Sequence, residues 1–63
     1  MKDLYQKQTS NCVITLTVAD GFLKNCYFVT VLWNDAVNAV TARMTRSYEE
    51  ALSFFNYLVE KYN

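Results

Sequence analysis

Cys12, Cys26 and the adjacent pair Glu49-Glu50 are the residues of this 63-residue chain whose types and spacing invite a chemical reading. Nucleophilic catalysis needs a Ser, Cys or Thr beside a base, and the chain has no histidine to act as one. The two cysteines form no CxxC motif. In the strand register argued below they fall on opposite faces, which makes them small buried hydrophobes rather than a redox pair. Two Cys without His cannot close a four-ligand zinc site. A single glycine leaves no Gly-rich loop to cradle phosphate. Adjacent helical side chains diverge by about 100°, so Glu49 and Glu50 read as capping charges rather than as an acid–base pair. We therefore expect no catalytic residue, no cofactor and no metal.

Those glutamates belong to the stretch around which the chain is organised, Thr45 to Asn63. Ser47 is a good N-cap, and Glu50 three residues later completes a Ser-x-x-Glu capping box. Glu49 and Glu50 sit at the positive end of the helix dipole and Lys61 near the negative end. Tyr48, Ala51, Leu52, Phe55, Leu58, Val59 and Tyr62 fall on one apolar stripe of a helix over 47–62. Phe54 flanks that stripe and Tyr57 lies opposite its centre.

A chain of this length makes one small domain with a thin stability margin. At most one disulfide is available, so self-association is the remaining common reinforcement. Six basic and six acidic residues give a formal net charge of zero, without an overall footprint for nucleic acid or anionic membrane. No apolar run approaches the roughly 20 residues of a membrane span. The opening Met1–Lys7 lacks the hydrophobic block of a signal peptide. These features point to a soluble, cytoplasmic protein with reduced thiols.

The upstream elements read as strands. Residues 1–10 are polar, with Leu4 and Tyr5 as anchors, and form either an arm or a short edge strand. Residues 11–19 are rich in β-branched side chains. Cys12, Ile14, Leu16 and Val18 point one way; Val13, Thr15, Thr17 and Ala19 point the other. Asp20-Gly21 is a type I′ hairpin signal. A two-residue loop there pairs Ala19 with Phe22 and Ile14 with Tyr27. The second strand runs from about Phe22 to Trp33, apolar on both sides. After a turn at Asn34-Asp35, a third strand runs from about Val37 to Thr45. In it Val40, Ala42 and Met44 face the core, and Val37, Ala39, Thr41 and Arg43 face away. The expected fold is α+β: a three-stranded antiparallel meander over 11–45 with one C-terminal helix packed on one face.

Two surfaces are left over. Val13, Phe28 and Leu32 make an apolar patch on the outer sheet face, and Phe54 and Tyr57 add aromatics on the helix. Exposed apolar patches mark interfaces, and aromatics are enriched at their hot spots. Lys24, Arg43 and Arg46 make a basic edge near Phe28, suited to phosphates with an aromatic on a base. The element order and the helix opening Ser47-Tyr48-Glu49-Glu50-Ala51 resemble three-stranded DNA-binding domains such as the AP2 domain and some integrase N-terminal domains. That resemblance implies a sheet entering the major groove. The rows of arginine and tryptophan that such sheets carry are not present in this chain.

The expectation is a small non-enzymatic module that binds a protein partner, with homodimerisation. In type it is similar to the inhibitors and host-factor modulators encoded by phages and other mobile elements. The alternatives are nucleic-acid binding through the sheet and a purely structural homo-oligomer.

Overall fold

The computed structural model describes residues 2–19 and 25–63. Lys2–Gln8 (β1), Cys12–Ala19 (β2), Cys26–Trp33 (β3) and Val40–Thr45 (β4) form one antiparallel sheet in the order β1-β2-β3-β4. Tyr48–Tyr62 (α1) packs on one face of it against β2, β3 and β4. The class is α+β as expected, but the sheet has four strands rather than three.

The added strand is the polar opening segment. Its first signal is the turn that returns it to β2. The Thr9 N–H donates to the Cys12 carbonyl at 2.8 Å, with Ser10 and Asn11 at the tip. Thr9 Oγ1 accepts from the N–H groups of Asn11 and Cys12 at 3.2 and 3.1 Å. A buried threonine thus serves as the side-chain partner that a tight loop requires. No apolar/polar alternation marks β1, because it is an edge strand with a register shift between Asp3 and Tyr5. The extra residue is Leu4, which packs against the core. Beyond it Tyr5 is on the helix face, its ring 6.1 Å from that of Phe55.

Between β2 and β3 the register differs from the expected one by four residues. Ala19 pairs with Cys26 and Ile14 with Val31, not Ala19 with Phe22 or Ile14 with Tyr27. The expected Asp20-Gly21 turn itself lies outside the described residues. The physical reason for the offset is on the helix face. The observed register sets Cys12, Ile14 and Leu16 opposite Trp33, Val31 and Val29. The tight-loop register would set Leu16 opposite Asn25, a polar side chain in the core. Asn25 instead precedes β3 with φ 62, a left-handed conformation that asparagine tolerates better than most residues. Because four is even, both registers put the same residues on each face. The expected sorting of β2 and β3 side chains therefore holds, including Cys12 and Cys26 on opposite faces.

The third expected strand is shorter and partly inverted. Asn34 and Asp35 form the turn, with the Ala36 N–H donating to the Trp33 carbonyl at 3.0 Å. Val37 lies in the loop rather than in a strand and is 92% exposed. β4 then pairs Val31 with Val40 and Thr30 with Thr41, but Val29 with Arg43 and Phe28 with Met44. Ala42 is the extra residue of a bulge. It reverses the alternation, so Arg43 turns to the helix face and Met44 to the outer face, opposite to expectation.

α1 begins where its cap requires. Ser47 is in an extended conformation and its Oγ accepts from the Glu50 N–H at 3.2 Å. The reciprocal half of the capping box is replaced: the Ser47 N–H donates to Thr45 Oγ1 at 3.2 Å, and the Glu50 carboxylate is engaged by Arg43. At the far end Asn11 Nδ2 donates to the Tyr62 carbonyl at 3.2 Å, satisfying one of the last helical carbonyls. Trp33 stacks edge-on against Tyr62 with ring centroids 4.8 Å apart.

The core lies between α1 and the two central strands. Ala51, Phe55 and Leu58 are buried against Cys12, Ile14 and Leu16 of β2 and Val29 and Val31 of β3. Full burial of a side chain such as Ile14 or Leu16 stabilises by about 1.5–3 kcal/mol. Leu52, expected on the apolar stripe, is only partly buried, and Val40, expected to face the core, is 57% exposed at the rim.

Candidate interaction surfaces

The outer sheet face is built of cross-strand rows, because strand pairing fixes which side chains stand side by side. One row runs Gln8–Val13–Leu32, a second Gln6–Thr15–Thr30–Thr41, and a third Asp3–Thr17–Phe28–Met44. Ala19 and Cys26 form a fourth. The expected apolar patch of Val13, Phe28 and Leu32 is therefore not continuous. Val13 and Leu32 are directly paired, but a row of threonines separates them from Phe28. That polar row is tied down at its end, where Gln6 Nε2 donates to Thr15 Oγ1 at 3.3 Å. In the next row Thr17 Oγ1 donates to Asp3 Oδ1 at 3.0 Å. Phe28 gains a different apolar neighbour in Met44, which is 63% exposed. Sequence alone assigned Met44 to the core, and nothing in the residue order announces the Ala42 bulge that moves it. Among the described residues no helix packs on this face; Thr17, Ala19 and Cys26 at one end of it are buried, Val13 and Phe28 are half-buried, and Leu32 and Met44 are exposed.

Phe54 and Tyr57 lie on the other side of the sheet and share no surface with Phe28. Glu50, Ser53, Phe54 and Tyr57 are spaced i, i+3, i+4 and i+7, a second stripe beside the core stripe of α1. With Arg43 of β4 they line an open groove of about 370 Å³. The Phe54 and Tyr57 rings are 6.0 Å apart, and the Arg43 guanidinium lies 5.4 Å over the Phe54 ring. Arg43 Nε donates to Glu50 Oε1 at 3.0 Å, and Nη2 donates to the same oxygen. Lys61 continues the stripe, 5.8 Å above the Tyr57 ring.

The basic set expected near Phe28 does not assemble there. Arg43 is on the helix face and engaged by Glu50, as the bulge dictates. Arg46 is exposed in the link between β4 and α1. Lys24 lies outside the described residues.

A tyrosine cluster closes the end of the sheet nearest the N-terminus of α1. Tyr48 and Tyr5 share a hydroxyl–hydroxyl bond of 2.9 Å, and the Tyr27 ring lies 5.6 Å from that of Tyr48. The bond to Tyr5, followed by local desolvation, raises the Tyr48 phenol above its ordinary value. Among the described residues no cluster of three or more His, Cys, Asp or Glu forms a metal-binding group, and no helix is long and apolar enough to cross a membrane.

Comparison of the chain with protein-family models, with curated proteins and with solved structures finds no match.

Proposed function

We propose that this chain is a small non-enzymatic protein-binding module that acts by occupying the surface of a partner protein, in the manner of inhibitors and modulators encoded by phages and other mobile elements. One observation carries this reading: an outer sheet face with Val13, Phe28, Leu32 and Met44 and no helix packed on it among the described residues. Large apolar side chains on such a face are the usual anchors of an interface, and the threonine row between them supplies hydrogen-bonding groups that need not be desolvated alone. The nucleic-acid alternative has less support, because the arginine it needs beside Phe28 is turned to the opposite face and neutralised by Glu50.

The test is capture from a nuclease-treated bacterial lysate, identification of the bound protein, and reconstitution with that protein purified. Binding that is lost in Leu32→Asp and Phe28→Asp but kept in Arg43→Ala is expected. Salt-sensitive binding to naked DNA or RNA, lost in Arg43→Ala with Arg46→Ala, would overturn the reading.

A further inference from the structure

We infer that the outer edge of β4, which no strand pairs with among the described residues, and the flank of α1 beside it are a self-association surface, taken by a second copy of this chain across a two-fold axis perpendicular to the sheet. The inference goes beyond the proposed binding role and stands or fails separately from it.

The shape of the occupant follows from the backbone. β4 is an edge strand, and an edge presents N–H and C=O groups that an extended strand satisfies. The two edges of the sheet are not equally defended. β1 carries Lys2, Asp3 and Lys7, charges of the kind that deter edge pairing. β4 carries one charge, Arg43, and that side chain is drawn to the helix by Glu50. The Ala42 bulge sharpens the local twist, so cross-edge pairing spans a few residues and the flank of α1 supplies the rest of the contact.

The identity of the occupant follows from symmetry and charge. Antiparallel joining of two β4 edges about this axis makes an eight-stranded sheet with both helices on one face. The helices then run antiparallel, with their Phe54 and Tyr57 flanks turned to each other. Each groove offers one cation and one anion of nearly equal accessibility, the side chains of Arg43 and Glu50 being 46% and 47% exposed. A two-fold axis brings the cation of one copy towards the anion of the other, so the groove is complementary to itself. The formal net charge of zero adds no overall repulsion between copies. A partner of strong single charge finds no matching field here. On the other side of the sheet, the exposed Met44 and Thr41 of each copy meet at the seam. The Phe28–Met44 rows of two copies then form one surface, and the partner-binding face becomes bivalent.

A six-residue strand is only about 20 Å long. The interface therefore falls at the low end of specific contacts, on the order of 1,000–1,200 Å² in total, and association is expected in the micromolar range.

Sedimentation equilibrium of the full chain, from about 1 to about 200 μM to bracket that range, reads it out. The mass is expected to double across the series. Tyr57→Lys should weaken association by at least about tenfold, and Leu32→Asp on the outer face should leave it unchanged. Arg43→Glu and Glu50→Arg should each impair self-association, and an equimolar mixture of the two should restore a heterodimer. Circular dichroism of each variant separates loss of fold from loss of contact, and the mixed pair tests the interface even where a single variant is less stable. A monomer at every concentration would overturn the inference. So would a dimer lost in Leu32→Asp but kept in Tyr57→Lys, or no association on mixing the charge-reversed chains. Capture of the foreign partner is read separately, with Phe28→Asp against the purified partner, so a failure of the dimer and a failure of partner binding are told apart.

Discussion

Arg43 and Glu50 tie the last strand to the first turn of the helix through a single carboxylate oxygen, Oε1, which accepts from both Nε and Nη2 of the guanidinium. The pair exists because the Ala42 bulge turns Arg43 to the helix face. Both side chains are about half exposed, so solvent screens the attraction. A double-mutant cycle with Arg43→Ala and Glu50→Gln, read by urea denaturation at low protein concentration, should give a coupling of about 0.5–1 kcal/mol that shrinks with added salt. A coupling indistinguishable from zero would show that the contact contributes position and no stability.

The burial pattern ranks two helix positions. Phe55 is 6% exposed against the sheet, whereas Leu52 is only partly buried. Phe55→Ala should cost about 3–5 kcal/mol, enough to unfold much of a domain of this size, and Leu52→Ala less than about 2 kcal/mol. Thermal melts of the two variants side by side check the order, and equal losses would contradict it.

Thr9 is polar, 7% exposed and central to the β1–β2 turn. Thr9→Val keeps the shape and removes the acceptor of two N–H groups. The loss should be about 1–3 kcal/mol, with faster amide exchange at Asn11 and Cys12. Unchanged exchange at those two amides would mean that the backbone bond to the Cys12 carbonyl holds the turn by itself.

Tyr48 titrates above the ordinary phenol value because its hydroxyl is hydrogen-bonded to that of Tyr5, with local desolvation adding to the shift. The folded state therefore holds this proton more tightly than the unfolded chain. The stabilising contribution is complete below about pH 10, the unperturbed value, and is lost as pH rises through the folded value. Absorbance titration of the phenols should show a late component that moves down in Tyr5→Phe. Titration curves of the two proteins that superimpose would rule out the hydroxyl pair.

The helix was legible in the sequence because its signals are local. Ser47 caps, the acidic residues follow, and the stripe from Ala51 to Tyr62 repeats at helical spacing. The faces of β2 and β3 were legible because alternation survives any even offset. Three things were not. β1 carries little alternation, since an edge strand needs few apolar residues and its bulge spends Leu4 on the core. The orientations of Arg43 and Met44 depend on one extra residue, Ala42, chosen by tertiary packing and not by its own type. The surface was legible as residue types but not as a patch: strand order sets a threonine row between Leu32 and Phe28, and puts Phe54 on the other side of the sheet.

The even offset between the observed β2–β3 register and the one an Asp20-Gly21 turn favours also shapes the route to the native state. A hairpin with the shorter loop closes sooner, because less chain must be ordered, and it presents the same side chains to an arriving helix. It is a decoy that hydrophobic sorting alone does not reject. Only the burial of Asn25 opposite Leu16, and the stranding of Val31 and Trp33 beyond the end of β2, count against it. Refolding is thus expected to include molecules that collapse in the wrong alignment and must separate two strands before β4 can add. Replacing Gly21 by a residue that disfavours the tight turn should speed the final approach to the native fold.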